Sequence, residues 1–146
     1  MTVPAQELRT LQLGPLWVLS ALVGTHTNFP RLDLDAFWGA VVAVGLNSPA
    51  DTRDLLRSMT ADLSGLVLTV ELDGRSVVSG LHDVITVLGP GPAERVEGYR
   101  RALVHVGAAV GRARGPYGRQ ISTEDLNRLL LVAQLLDYAP DGAHAA

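Results

Sequence analysis

The sequence predicts an all-α single domain of about six or seven helices, and three observations predict it. Apolar residues recur at helical spacing: Val77, Val78, Leu81, Val84, Ile85 and Leu88 form one stripe, and Val96, Tyr99, Leu103, Val106 and Val110 another. Proline, serine or aspartate opens most of these stripes, and glycine closes several. The 146 residues, 47% apolar and only 18% charged, have the composition of a chain that buries a core, far from that of disordered segments. Residues 1–139 read as that one domain. Residues 140–146, "PDGAHAA", have nothing to bury and are expected to form a disordered tail.

Gly14 and Pro15 break the first apolar segment, which places a helix over about 16–25 with Pro15 at its first position and a short helix before it. "THTNFPR" follows as a loop. Asp33 is the expected cap of the next helix, with Leu32 and Phe37 as its hydrophobic staple. Ser48 is the expected cap of the one after, with Pro49 in its first position and Asp51 in its first turn. Over residues 66–80, strand-like alternation and the Asp73-Gly74 pair resemble a β-hairpin. Leu55, Leu56, Met59, Leu63, Leu66, Val67 and Val70, however, make one continuous helical stripe, and a second strand would interrupt the stripe that begins at Val77. We read a middle pair of helices joined by a glycine turn, with the hairpin as the standing alternative. A further helix starts at Pro92, with Glu94 and Glu97 near its positive end and Arg112 and Arg114 near its negative end. The last begins at Ser122, its cap, with Ile121 and Leu126 as staple. Beyond its first turn that helix is apolar almost all round, from Leu129 to Leu136, so it is expected to lie at the centre of the fold or in an interface. Trp17 and Trp38 are expected in the core.

Several function classes are excluded by residue type. All twelve cationic side chains are arginine, which removes lysine Schiff bases and P-loop lysines. Without cysteine there are no disulfides, thiolate nucleophiles or cysteine zinc sites. A net charge of -3 gives nucleic acid and anionic membranes no general attraction. The longest apolar stretch, 11–23, contains Gln12, Gly14, Pro15 and Ser20 and is too short for a typical membrane span. Glu7 and Arg9 cancel ahead of it, so no leader is expected and the protein is expected in the cytoplasm. No nucleophile-elbow sequence surrounds Ser20, Ser58, Ser64, Ser76 or Ser79. His82 and Asp83, adjacent on a helix, do not face each other. His105 shares the polar face of its helix with Arg101 and Arg112, a solvated stripe. No enzymatic activity and no cofactor are expected.

Two segments share one plan. "LWVLSALVGTHTNFPRLDLDAFWGAVVAV" and "ALVHVGAAVGRARGPYGRQISTEDLNRLLLVA" each run apolar helix, glycine, polar loop, capped apolar helix. Gly24 matches Gly111, and Leu32, Asp33 and Phe37 match Ile121, Ser122 and Leu126. The domain therefore reads as two pseudo-repeated helical hairpins. Over residues 16–136 it resembles the tellurite-resistance TerB-like family of small all-helical proteins, most specifically in "GRQISTEDLNRLLLVAQLL" and "ALVGTHTNFPRLDLDAFWGAV". The resemblance implies a non-enzymatic role, in stress response or metal binding, and divalent-metal binding through acidic loops. Here "THTNF" and "RARGPYG" stand where that family carries its Asp-Gly pairs.

Two sites are candidates. Arg112, Arg114, Tyr117 and Arg119 precede the Ser122 helix start, where guanidinium groups and free amides can hold an anion. That reading makes the chain a module for small anionic ligands, against the plainer one of a capped helix end and a solvated loop. His26, Asn28, Asp33 and Asp35 are the polar residues around the first loop, and His26, Asp33 and Asp35 are the candidate metal ligands. One histidine with one carboxylate, His26 with Asp33, is short of the three or four ligands a zinc site needs, and Asp33 and Asp35 already suit a helix N-terminus. The expected partners are another protein of unknown identity and a second copy of the chain.

Overall fold

The structure, a computed structural model, describes residues 4–25, 27–116 and 119–138. The expected tail, 140–146, lies outside them. Among the described residues seven α-helices follow one another: α1 (Ala5–Val23), α2 (Arg31–Leu46), α3 (Ala50–Ala61), α4 (Leu63–Glu71), α5 (Val77–Leu88), α6 (Ala93–Arg114) and α7 (Thr123–Leu135). Among the described residues there is no strand.

Four helices start the same way. Pro4, Pro30, Pro49 and Pro92 stand at the cap position with ψ of 144°, 141°, 159° and 142°. Their carbonyls accept the first helical hydrogen bonds, from the N–H groups of Leu8, Leu34, Arg53 and Val96. Proline suits this place because its ring sets φ near the helical value and it brings no N–H that would need a partner. Two expected caps are corrected accordingly. Asp33 is the third residue of α2, not its cap, and Leu32 is 81% exposed and staples nothing. Ser48 lies outside α3, and its hydroxyl donates to the Val44 carbonyl (2.7 Å). Ser122 does cap α7, accepting the Asp125 N–H at 3.1 Å. Ser76 likewise caps α5 through the Ser79 N–H.

Residues 66–80 form helix, turn and helix, and the hairpin alternative falls. Asp73 closes the turn by accepting the Arg75 N–H (2.9 Å). The Arg75 guanidinium pairs with Asp73 and Asp83 and lies 5.6 Å over the Trp17 ring, fastening the turn to α1. A Cβ at Gly80 would stand 2.3 Å from Trp17, so glycine is what lets α5 come this close. The stripe from Leu55 to Val70 is not one helix. It breaks at Asp62 (φ -137°, ψ 41°), whose carbonyl then accepts the Leu66 N–H and starts α4. The middle is therefore three helices rather than a pair.

The largest correction concerns α1, which runs unbroken through Pro15. A mid-helix proline removes the hydrogen bond to the carbonyl four residues back and tends to break the helix. Here that carbonyl belongs to Leu11, and it accepts the hydroxyl proton of Tyr99 from α6. Gly14 makes room, since a Cβ there would stand 2.2 Å from the Tyr99 hydroxyl oxygen. Every residue of 13–20 is buried, and α1 packs against each of the other six helices. It is the central helix, whereas α7 packs at the periphery on α1, α5 and α6, with Leu126, Leu130, Leu131 and Leu135 exposed. Of the two positions expected for α7, the central one is taken by α1. Trp17 is buried as expected, but Trp38 is 44% exposed. It follows Phe37 by one residue, about 100° around the helix, and Phe37, Ala40, Val41 and Gly45 are the residues that α2 buries.

Tyr99→Phe leaves a buried carbonyl without a donor and should cost about 1–3 kcal/mol in urea unfolding. In a Pro15→Ala background the cost should shrink, because residue 15 regains the N–H that serves Leu11; equal costs in both backgrounds would refute the link. Burial also pushes the Tyr99 phenol well above its ordinary value of 10.0. A raised folded-state pKa gives stability that is complete below pH 10.0 and lost above it. The intact protein should therefore lose about 1.4 kcal/mol per pH unit above that point relative to Tyr99→Phe.

Candidate functional site

Asp33 and Arg114, one residue from each candidate site, fall where four helix ends meet. α1 ends at Gly24 (φ 87°), whose N–H donates to the Ser20 carbonyl. α2 begins beside that end, and the end of α6 faces the beginning of α7. Helix N-termini favour carboxylates and C-termini favour cations, and this junction supplies both. Asp33 is the third residue of α2, Asp125 is the third residue of α7, and Arg114 is the last residue of α6. The Arg114 guanidinium donates to Asp33 Oδ2 through Nη1 (2.7 Å) and to Asp125 Oδ2 through Nε (3.0 Å). The Asp125 side chain is only 7% exposed and that of Asp33 13%, so this is a mostly desolvated bridge. Burial by itself disfavours the charged guanidinium, but the carboxylates of Asp125 and then Asp33 override it and hold the Arg114 pKa above its ordinary value.

Arg128 extends the network. Its Nη1 donates to the Leu22 carbonyl in the last turn of α1 (2.6 Å), and its Nη2 donates to Glu124 (2.6 Å). All four helix ends are thereby joined by charge-assisted hydrogen bonds. The repeat noticed in the sequence is present here in a different register. Asp33 corresponds to Asp125, not to Ser122, and buried Phe37, Ala40 and Val41 correspond to buried Leu129, Val132 and Ala133. Gly24 and Gly111 are not equivalent. Gly24 ends α1 with a positive φ, while Gly111 lies within α6, where a Cβ would stand 2.6 Å from Ile121.

The four residues of the anion candidate do not assemble among the described residues. Arg114 is paired as above, and Tyr117 lies outside the described residues. Arg119 is exposed in the α6–α7 connection. Arg112 is exposed on another side of α6, where with Arg101 and His105 it lines a cleft of about 600 Å³ between α2 and α6. Of the metal candidates, His26 lies outside the described residues, Asp33 is bound by Arg114, and Asp35 is exposed. Asn28 is directed elsewhere, its N–H donating to Glu71 on α4 (2.7 Å). Among the described residues no three His, Asp or Glu side chains are grouped to hold a metal ion. Asp83 faces Arg75 while His82 stands exposed, so those neighbours are separated as helix geometry requires.

The part played by Asp125, Arg114 and Arg128 together was not read from the sequence. A signal existed: an aspartate in the third position of two matching helices, and an arginine at the end of the helix between them. Placing the α2 cap at Asp33 hid it. Among the described residues no helix is long and apolar enough to cross a membrane. Comparison with family models, with curated proteins and with solved structures finds no match to this chain.

Arg114→Met should cost about 2–4 kcal/mol, because it leaves two poorly solvated carboxylates facing each other. Adding Asp33→Asn and Asp125→Asn to the same chain should recover part of that loss. A triple variant less stable than Arg114→Met in urea unfolding would show that the bridge is not the source of the cost.

Proposed function

We propose that this chain is a non-enzymatic, TerB-like helical domain that acts in the cytoplasm by binding other proteins, a second copy of itself included, in a stress-response setting. The observation that carries the reading is the Arg114 bridge. The carboxylates that begin the two matching helices do converge, but on a built-in guanidinium. A hard divalent cation needs several oxygen ligands and would compete with Arg114 for the same two carboxylates. The junction thus works as an internal brace, and the chain's outward chemistry lies on its helix faces.

The face of α7 is the first of these. Leu126, Leu130, Leu131 and Leu135 stay exposed while Leu129, Val132 and Ala133 enter the core. Exposed apolar residues gathered on one helix mark an interaction surface more often than scattered ones do. Helix against helix across a two-fold axis is the simplest way for identical chains to cover such a face.

A second reading, a small anionic ligand, is favoured by the α2–α6 cleft rather than by the loop. Arg101, His105 and Arg112 line that cleft together with Asn47 and Ser48, and among the described residues no carboxylate lines it.

Light scattering should find a dimer that Leu131→Glu converts to a monomer. Thermal melts should be unmoved by magnesium, calcium, manganese or zinc. A divalent ion that raises the melting temperature through Asp33 and Asp125 would overturn the brace reading. A rise with phosphate, citrate or a nucleotide that Arg101→Glu/Arg112→Glu abolishes would favour the cleft instead.

A further inference from the structure

Between α2 and α3 runs a shallow groove floored by Val42, Gly45, Leu46 and Leu56 and rimmed by Arg53 and Arg57, with a cavity of about 110 Å³. Trp38 lies one turn before Val42, so Trp38, Val42 and Leu46 make an exposed apolar ridge that repeats every four residues along the groove. Its length over these positions is about 12 Å, two turns of helix. At Gly45 a Cβ would stand 3.6 Å from the Leu56 Cβ, so the two helices are close and the groove has a continuous floor.

The rim is charged on one side only. Arg9, Arg75, Arg95, Arg114 and Arg128 each pair with a carboxylate, whereas Arg53 and Arg57 make no ion pair or side-chain hydrogen bond among the described residues. Of the two acids on α3, Asp51 pairs with Arg95, and Asp54, exposed one turn before Arg57, lies outside the groove lining. In a chain of net charge -3, a groove whose described lining holds two guanidinium groups and no carboxylate, near an exposed tryptophan, is locally positive over apolar ground. Tryptophan and arginine are also the side chains most enriched where binding energy concentrates.

We propose that the α2–α3 groove receives an acidic amphipathic helix from a partner protein, its apolar stripe on Trp38, Val42 and Leu46 and its carboxylates on Arg53 and Arg57. A helix fits because the ridge has helical period and offers no strand edge to extend. Acidic character fits because the described lining of the groove carries two arginines and no carboxylate. Nucleic acid fits poorly, since the floor is apolar and the chain as a whole repels a polyanion. This proposal rests on the reading of the chain as a binding domain and specifies a partner class for it.

The probe is a synthetic peptide of about 18 residues, with leucine at i, i+3, i+4 and i+7 and glutamate elsewhere, beside a counterpart carrying lysine for glutamate. Trp38 reports binding, because Trp17 is buried. The glutamate peptide should shift Trp38 emission to the blue and bind about tenfold more tightly than the lysine peptide. Arg53→Glu/Arg57→Glu, checked for an unchanged helical melt, should reverse that preference. Binding of neither peptide, equal binding of both, or a preference that survives the charge reversal overturns the proposal. So does a concentration-dependent mass that the same double variant abolishes, which would assign the groove to a second copy. An α7 dimer with a silent groove would sink this proposal alone, whereas metal-dependent stabilisation through Asp33 and Asp125 would sink the binding-domain reading beneath it.

Discussion

The fold depends on one hydrogen bond, from the Tyr99 hydroxyl to the Leu11 carbonyl. α1 carries a proline at its middle and is buried there on every side, so the carbonyl that Pro15 leaves without a donor cannot turn to water. An unsatisfied buried carbonyl would weaken the one helix that all the others touch. Tyr99 brings the missing donor from α6, and Gly14 removes the side chain that would stand in its way. Once α6 is seated on α1 at this point, α2 can pack along α6, and α3 follows α2. The same device of glycine facing a large side chain recurs at Gly80 against Trp17 and at Gly107 against Leu129 and Val18. Close helix approach is thus set by where side chains are absent as much as by where they are large.

At the end of the bundle where α2 and α7 begin, electrostatics does comparable work. Four helix ends meet, and their partial charges alone would leave two positive and two negative termini side by side. Asp33 and Asp125 complement the positive ends, Arg114 and Arg128 the negative ones, and the arginines then bind the aspartates. The arrangement is fully internal, since each charge answers a helix end and a side chain of opposite sign. A junction satisfied in this way keeps its geometry without a bound ion. It leaves the helix faces, with their unpaired arginines and exposed leucines, as the surfaces with chemistry left to offer.

Parts of this site were legible in the sequence and parts were not, for identifiable reasons. The Ser122 cap was legible because a cap and the amide it serves lie three residues apart. The helical character of 77–88 was legible because its stripe depends only on spacing. Asp33 was placed as a cap because aspartate suits that position, yet proline three residues earlier suits it too, and proline prevailed. Trp38 was assigned to the core by its size. Its neighbour Phe37 holds that direction instead, and a residue one step along a helix cannot share it. The apolar run in α7 left the centre of the fold and an interface both open, because spacing does not say whether a helix lies inside a bundle or at its edge, where it buries one side within the chain.

By itself, the sequence determined that the chain is helical and where α7 begins, and over residues 66–80 it favoured a turn between helices over a hairpin. Those outcomes rest on interactions within a few residues: hydrogen bonds to carbonyls four back, caps three apart, and glycine at a positive φ. Only the tertiary structure decided that α1 continues through Pro15, that α1 and not α7 is central, and that Arg114 bridges Asp33 and Asp125. The donor that rescues Leu11 is 88 residues away from it, and the aspartate that first neutralises Arg114 in chain order is 81 residues away. Spacing along a chain carries no record of such partners, because they become neighbours only when the helices pack.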